Sequence, residues 1–141
     1  MSDVVIAGIG ETPVGEHYHR SLRDLALDAL EMALKDAAGL RPDILLVANM
    51  FAPAASHQAH LGALINDYAA LHGIEASTIE AGGASGGAAL RMGYLAVAAG
   101  QVDVALIVGV EKVTDQLDPA AIRSRCSAAL SHRRRTPMPV W

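Results

Sequence analysis

A small-residue turn within residues 78–90 is where this chain is most expected to do chemistry. The segment reads TIEAGGASGGAAL, a short apolar strand pattern, then Gly, Ala and Ser, then an almost uncharged helical pattern. Such a turn presents free backbone N–H groups at a helix N-terminus, where the helix dipole stabilises developing negative charge. The only side-chain nucleophile in the turn is Ser85. The turn is therefore either an active centre or a turn whose residues are small because it is tightly packed.

Ser85 fits the G-x-S-x-G pattern of a serine nucleophile. Gly83, Ser85 and Gly87 satisfy the pattern between a predicted strand and a predicted helix, which is the context that serine hydrolases use. The catalytic triad also needs an acid and a histidine further along the chain, and the only later histidine is His132, in a basic segment. A serine hydrolase using Ser85 thus stays an alternative to a structural serine.

Two further motifs have weaker chemical interpretations. Gly8 and Gly10 begin a dinucleotide-binding fingerprint, but Pro13 replaces its third glycine and no helix is expected to start there. His57 and His60 lie one turn apart on a predicted helix, but nothing places the other nearby pair, His17 and His19, beside them. We therefore expect neither a dinucleotide site nor a metal site.

Alternating strand and helix patterns predict an α/β fold. Helical spacing of apolar residues follows Ser21, which forms a capping box with Asp24, and ends at Gly39. The predicted strands are residues 4–9, 44–47, 77–80 and 104–108, and the predicted helices are residues 21–39, 57–71 and 86–99. This β-α-β-α-β-α-β order implies a mostly parallel sheet with right-handed crossovers and helices on both faces.

The third predicted helix is apolar around its whole circumference. Its only ionised side chain is Arg91. A helix that is apolar all round is buried on all sides, and one α/β layer cannot cover it. We therefore expect a second copy or further residues to supply another layer, that is, a homodimer or a larger assembly.

Composition restricts the chain to a single domain in a reducing compartment. The 141 residues fit one domain, and 52% hydrophobic with only 4% aromatic residues predicts a core of Ala, Val, Leu and Ile. A single cysteine, Cys126, excludes an internal disulfide. The N-terminus lacks the basic start of a signal peptide, and charged or polar residues interrupt the longest apolar stretch. The predicted location is cytoplasmic, with no membrane segment.

Charge separates the body of the chain from its C-terminal segment. All fifteen acidic residues lie at or before Asp118, and five arginines follow it. Basic tails can bind nucleic acid, but this one lacks interleaved aromatic residues. We therefore expect no nucleic-acid partner.

Residues 1 to about 115 resemble the N-terminal half of a thiolase. The resemblance rests on VVIAGIGETPVGEH, SLRDLALDAL, ILLVANM and EAGGASGGAALRMGYLAVAAGQVDVALIVGVEKVTD, in this order. The last block is the most specific, and the chain is most similar to the sterol-carrier-protein-type and archaeal acetoacetyl-CoA thiolases. The resemblance implies an acyl-CoA acetyltransferase of lipid metabolism with a dimeric, thiolase-like α/β half-domain and acyl-CoA as the substrate.

The resemblance also implies that the family nucleophile is missing. Thiolases carry a cysteine at the N-terminus of the third helix, in the motif Cys-Ala-Ser-Gly, whose thiolate takes the acyl group from acyl-CoA. The matching segment here begins at Gly83, and Ser85 matches the family's own serine, for which a structural role is implied. Cys126 lies outside the region of resemblance. Standard acyl transfer is therefore not expected.

The remaining catalytic groups of the family come from its C-terminal half, which has no counterpart here. That half supplies an Asn-containing loop, a His and a second Cys, and with the loop domain it makes nearly all contacts to CoA. No CoA-binding residue is therefore assigned, and a truncated chain without standard activity is expected. Two alternatives stay open: retro-aldol cleavage of an acyl-CoA, as in relatives without this cysteine, and a non-catalytic subunit in a complex with an OB-fold protein carrying a zinc ribbon.

The predicted domains are a thiolase-like half-domain over residues 1–115 and a divergent basic tail over residues 116–141. The tail is expected to be disordered or translated in a shifted frame. GC-rich codons for its run Arg-Thr-Pro-Met-Pro can read Ala-Asp-Ala-Asp-Ala in the neighbouring frame, which is close to the composition of the family at this point.

Overall fold

A computed structural model describes residues 3–114 together with residues 118, 120 and 124. The predicted tail, residues 116–141, thus lies almost entirely outside the described residues. Within the described part of the chain, helices and strands follow one another as α1 Leu22–Asp36, β1 Ile44–Ala48, α2 Ala52–Ala55, α3 Leu61–Tyr68, β2 Glu75–Ile79, α4 Ser85–Ala98 and β3 Ala105–Gly109.

The strands form one parallel sheet with β1 in its centre. The described residues give a three-stranded sheet in the order β2-β1-β3, and Ile44 at the start of β1 pairs with Glu75 on one side and with Ala105 on the other. The predicted α/β class with a parallel sheet is therefore confirmed. Since all three strands run the same way, their carboxyl ends meet at one edge, where the turn before α4 also begins.

Helices cover both faces of the sheet, as predicted. Successive side chains of a strand point to opposite faces. Leu45 and Val47 pack in one core with residues of α1 and α3, whereas Leu46 and Ala48 pack in a second core with Ala89 of α4. The strand β1 is buried on both faces because each set of alternate side chains has its own helical layer.

The capping box that the sequence predicts at the start of α1 is present. The Asp24 N–H donates to Ser21 Oγ at 3.1 Å, and the Ser21 N–H donates to Asp24 Oδ2 at 3.0 Å. Hydrogen bonding of the Asp24 carboxyl to the side chain and the backbone N–H of Ser21 holds its pKa below the ordinary value. The first helix thus begins where its sequence signal places it.

The predicted helix over residues 57–71 begins later than expected. His57 and His60 have φ values of 52° and 56°, in the left-handed region, and α3 starts at Leu61. A left-handed residue cannot continue a right-handed helix. The predicted helical spacing of His57 and His60 is therefore wrong, and the short helix α2 precedes them.

The predicted strand over residues 4–9 is not a strand in the structure. This segment packs on α1 instead: a Cβ at Gly8 would lie 2.5 Å from Ala33 O, and the Ile9 N–H donates to Asp36 Oδ2 at 2.9 Å. A strand needs a hydrogen-bonded neighbour, and no described strand pairs with this segment. Val5 and Ile9 consequently stay 76% and 73% exposed. The strand prediction for residues 4–9 is therefore wrong for the described structure, in which this apolar segment packs beside α1.

One face of α4 stays about half exposed in the described part of the chain. Its sheet-facing side is buried at Ala89 and Gly93, while Leu90, Tyr94 and Leu95 on the opposite side are 54%, 52% and 44% exposed. The sequence expectation that α4 is buried all round is thus met only on the face that the sheet covers. Among the described residues, no helix combines the length and hydrophobicity needed to cross a membrane.

Two helical glycines are expected to respond oppositely to alanine. A Cβ at Gly62 in α3 would lie 2.6 Å from the backbone carbon of Ser77, whereas a Cβ at Gly87 in α4 meets no heavy atom within 4 Å. We expect Gly62→Ala to lower the free energy of unfolding by about 1–3 kcal/mol through overpacking. We expect Gly87→Ala to raise it by about 0.5–1 kcal/mol through helix propensity. Urea denaturation measures both variants, and equal shifts would contradict the packing of α3 on β2.

Candidate functional site

The candidate site lies at the carboxyl edge of the parallel sheet, where open α/β sheets bind ligands. Asn49 follows β1, Glu80 follows β2 and Val110 follows β3. These strand ends are linked, because the Asn49 N–H donates to Ile79 O at 3.2 Å and the Val110 N–H donates to Ala48 O at 3.1 Å. The turn that contains Gly83 therefore starts from a fixed edge.

The turn between β2 and α4 is closed by its own backbone and by Glu80. Gly82 has a φ of +59°, which favours glycine. The Gly82 N–H donates to Glu80 Oε1 at 2.7 Å, and the Ala84 N–H donates to Ala81 O at 3.1 Å. Four residues thus reverse the chain tightly enough for α4 to begin at Ser85.

The Ser85 hydroxyl is engaged on both sides by backbone groups. Ser85 is only 6% exposed, and its Oγ accepts from the Ala81 N–H at 2.9 Å and donates to Gly82 O at 2.7 Å. A nucleophilic serine instead gives its proton to a general base. This geometry favours the structural role for Ser85 over the nucleophilic one.

Gly83 is exposed, and its backbone conformation does not require a glycine. Its φ lies outside the left-handed region, and a Cβ built on it meets no heavy atom within 4 Å. A side chain at this position would therefore project into open space without strain. The glycine is compatible with the turn but is not required by it.

The N-terminus of α4 is left uncapped beside Gly83. Its N-cap residue, Ala84, makes no side-chain hydrogen bond, and the first turn carries no acidic residue. The first amide groups of a helix have no partner within the helix and carry a partial positive charge. The Ser85 N–H is bonded to Gly82 O and the Glu80 carboxylate accepts from the Gly82 N–H, so only the partial positive charge that is left at this helix end can stabilise an anionic sulfur or oxygen.

A polar network that the sequence analysis missed links β1 to β3. Asn49 is buried, its Nδ2 donates to Val110 O at 2.8 Å and to Glu111 Oε1 at 3.1 Å, and its Oδ1 accepts from the Ala52 N–H at 2.8 Å. Glu111 Oε2 accepts from the N–H groups of Met50 and Phe51, each at 3.0 Å. Both polar residues come just after apolar strand patterns, and that position was an available signal.

Gly10 and His17, which belong to the other predicted ligand motifs, line a cavity that none of the turn residues 81–85 lines. An open cavity of about 410 Å³ lies between the N-terminal segment, α1 and the chain after β3, and is lined by residues 10–15, 17, 25, 29 and 109–114. The Nε2 of His17 lies 2.7 Å from Pro13 O. Among residues 3–114 and the three described beyond them, no group of three or more His, Cys, Asp or Glu could hold a metal ion.

Comparison with known proteins gives one family. The profile of the family described as "Thiolase, N-terminal domain" matches residues 4–138, so the match continues past residue 115. The chain is 42% identical over 121 residues to an acetyl-CoA acetyltransferase of Methanothermobacter thermautotrophicus, which covers 84% of this chain and 32% of the relative. It is 41% identical over 129 residues to an acetyl-CoA acetyltransferase of Methanocaldococcus jannaschii, covering 90% of this chain and 33% of the relative. The chain thus spans about one third of the length of these relatives.

We expect Ser85→Ala to lower the free energy of unfolding and to leave ester hydrolysis unchanged. The substitution leaves the Ala81 N–H and Gly82 O without their Oγ partner, which costs about 1–2 kcal/mol of unfolding free energy. Denaturation measures that loss, and hydrolysis of p-nitrophenyl acetate by both proteins measures the activity. Ester hydrolysis that is present in the unmodified chain and absent in Ser85→Ala would instead identify Ser85 as a nucleophile.

Gly83→Cys should carry a thiol with a lowered pKa. We expect a value about 0.5–1 unit below the usual thiol value of about 8.5, because the uncapped start of α4 favours the thiolate. The measurement is the pH dependence of alkylation by iodoacetamide, in a Cys126→Ser background that removes the natural thiol. Ala99→Cys at the opposite end of α4 is the matched control and should show no such lowering. Equal pKa values at the two ends would contradict an effect of the helix N-terminus.

Proposed function

Because the chain belongs to the thiolase family, we propose that it is the N-terminal part of a thiolase-type acyl-CoA acetyltransferase in which Gly83 occupies the nucleophile position. The observation that carries the proposal is the turn itself, an uncapped helix start beside a glycine that the backbone does not require. The identity of 41–42% to two acetyl-CoA acetyltransferases supports the substrate class, acyl-CoA.

Loss of the sulfur removes the covalent step of acyl transfer. In a thiolase the thiolate attacks the acyl-CoA carbonyl, the bond from carbonyl carbon to CoA sulfur breaks, and the acyl group is held as a new thioester. Gly83 has no atom that can attack. The neighbouring Ser85 cannot substitute, because its proton is held by Gly82 O and its oxygen is buried. The unmodified chain is therefore proposed to lack standard acyl transfer.

The other catalytic groups of a thiolase are proposed to come from polypeptide beyond the matched third. The exposed apolar face of α4 supports this view, because Leu90, Tyr94 and Leu95 form the type of surface that another layer covers. The same surface supports the second candidate, a non-catalytic subunit that docks on an intact thiolase subunit or on a second copy. A complex with an OB-fold protein that carries a zinc ribbon is one form of this second candidate. Retro-aldol cleavage of an acyl-CoA is a separate, catalytic alternative.

A cytoplasmic location is proposed on the basis of the cysteine content. One cysteine in 141 residues suits a reducing compartment. This proposal is independent of the proposed reaction.

Thiolysis of acetoacetyl-CoA tests the proposed function. We expect no thiolysis by the unmodified chain, and none by Gly83→Cys alone, because neither contains the other catalytic groups. We expect thiolysis when Gly83→Cys is joined to the remaining two-thirds of the Methanothermobacter relative, and at least about 100-fold less when the same fusion keeps glycine. Loss of the absorbance of the acetoacetyl thioester follows the reaction.

The fusion carrying glycine is the matched control for the fusion carrying cysteine. Equal rates in the two fusions would show that position 83 is not the nucleophile position. Thiolysis by the unmodified chain would overturn the proposal that it lacks this activity. Light scattering on the same samples gives the oligomeric state, and an isolated soluble monomer would count against a required covering layer on α4.

A further inference from the structure

The carboxylate of Glu111 accepts hydrogen bonds from groups in a different part of the chain. Its two oxygens accept from Asn49 Nδ2 and from the N–H groups of Met50 and Phe51, at 3.0 to 3.1 Å. All three donors lie about sixty positions earlier, in the segment that follows β1. Hydrogen bonds to a charged acceptor are stronger than neutral ones. Glu111 therefore acts as a clasp between the end of β3 and the segment that follows β1.

The segment held by this clasp is hydrogen-bonded to the end of β2, from which the turn containing Gly83 starts, because the Asn49 N–H donates to Ile79 O at 3.2 Å. Met50 Sδ lies 3.9 Å from the place that a Cβ would occupy at Gly82. Gly82 in turn provides the carbonyl that accepts from Ser85 Oγ and from the Ser85 N–H at the start of α4. Hydrogen bonds thus run from Glu111 to residues 49–51, and from Asn49 to Ile79 at the end of β2, three residues before Gly82.

We propose that Glu111 is a positioning residue for the Gly83 turn: its carboxylate holds residues 49–51 beside the end of β2, where the turn starts, and thereby fixes where α4 begins. This inference rests on the proposed function only in taking position 83 as the reacting position. Nothing in it requires Glu111 to touch a substrate.

A second clasp in the same sheet provides a control. Asp43 Oδ2 accepts from the N–H groups of Asp103 and Val104 at 3.0 and 2.9 Å. Like Glu111, Asp43 ties a β1 terminus to a β3 terminus through paired backbone amides. It lies at the amino edge of the sheet, however, far along β1 from the turn. Loss of Asp43 should weaken the sheet without moving the start of α4.

Charge and positioning predict opposite effects on a thiol at position 83. If Glu111 acted through its negative charge, removing the charge would favour a nearby thiolate and lower the thiol pKa. If Glu111 positions the turn, loosening it should let the first turn of α4 fray and weaken the partial positive charge at that end. The thiol pKa should then rise.

The experiment measures the thiol pKa of Gly83→Cys by the pH dependence of iodoacetamide alkylation, in the Cys126→Ser background. Glu111→Gln removes the charge and one acceptor, Glu111→Asp keeps the charge but shortens the reach, and Asp43→Asn is the control. We expect both Glu111 variants to raise the thiol pKa by about half a unit, which lowers the thiolate fraction well below that pKa about threefold. We expect Asp43→Asn to leave it unchanged.

Denaturation of each variant separates positioning from general loss of stability. The proposal is supported if the thiol pKa rises in both Glu111 variants but not in Asp43→Asn at a comparable loss of unfolding free energy. It is overturned if Asp43→Asn raises the pKa equally, or if the pKa is unchanged in both Glu111 variants. It is also overturned if Glu111→Gln lowers the pKa while Glu111→Asp leaves it unchanged, because that pattern assigns a charge effect. If Glu111→Gln does not fold, Glu111→Asp carries the same comparison.

None of these outcomes depends on thiolysis. If the cysteine fusion shows no thiolase activity, the proposed function fails, while the thiol pKa still reports the position of the turn. If substitution of Glu111 leaves the thiol pKa unchanged but the fusion is active, the positioning role of Glu111 is rejected and the proposed function stands. The two proposals are therefore separately testable.

Discussion

The position of the candidate site depends on one strand, β1, which is hydrogen-bonded on both edges and buried on both faces. Leu45 and Val47 are fully buried on the side of α1 and α3, and Leu46 packs in the core on the side of α4. Because β2 and β3 both pair with β1 in fixed register, the carboxyl ends of the three strands meet at one edge. The turn to α4, the buried Asn49 and the carboxylate of Glu111 all start from that edge.

Different physical constraints explain the glycines at different positions of this fold. Gly83 is explained by none of these constraints. Gly62 is needed because α3 approaches the backbone of β2 too closely for a Cβ, and Gly82 has a φ of +59°. Gly83 meets neither condition, since space is open around it and its φ is ordinary. Neither the fold nor the turn geometry explains a glycine there. The identity of residue 83 is therefore a question of chemistry rather than of packing.

Local signals in the sequence were sufficient to predict much of this fold. Where the structure differs from the prediction, non-local contacts explain the difference. The capping box at Ser21 and the apolar pattern of β1 depend on near neighbours, so they were predictable. The segment over residues 4–9 has a strand pattern, but whether it becomes a strand depends on a partner. The left-handed conformation of His60 has no clear local signal. The bonds from Asn49 to Glu111 join residues 62 positions apart, and only the folded sheet brings them together.

Under the proposal that Gly83 occupies the nucleophile position, the turn separates two contributions that a thiolase nucleophile combines. One is electrostatic: the amide groups at the start of α4, which has no side-chain cap, stabilise negative charge, and this part depends on backbone that the chain keeps. The other is covalent and depends on a sulfur that Gly83 does not supply. With only the first, the turn could stabilise an anionic oxygen but could not hold an acyl group. Chemistry at this turn would therefore have to proceed without a thioester to the chain, and its acid or base would have to come from another surface.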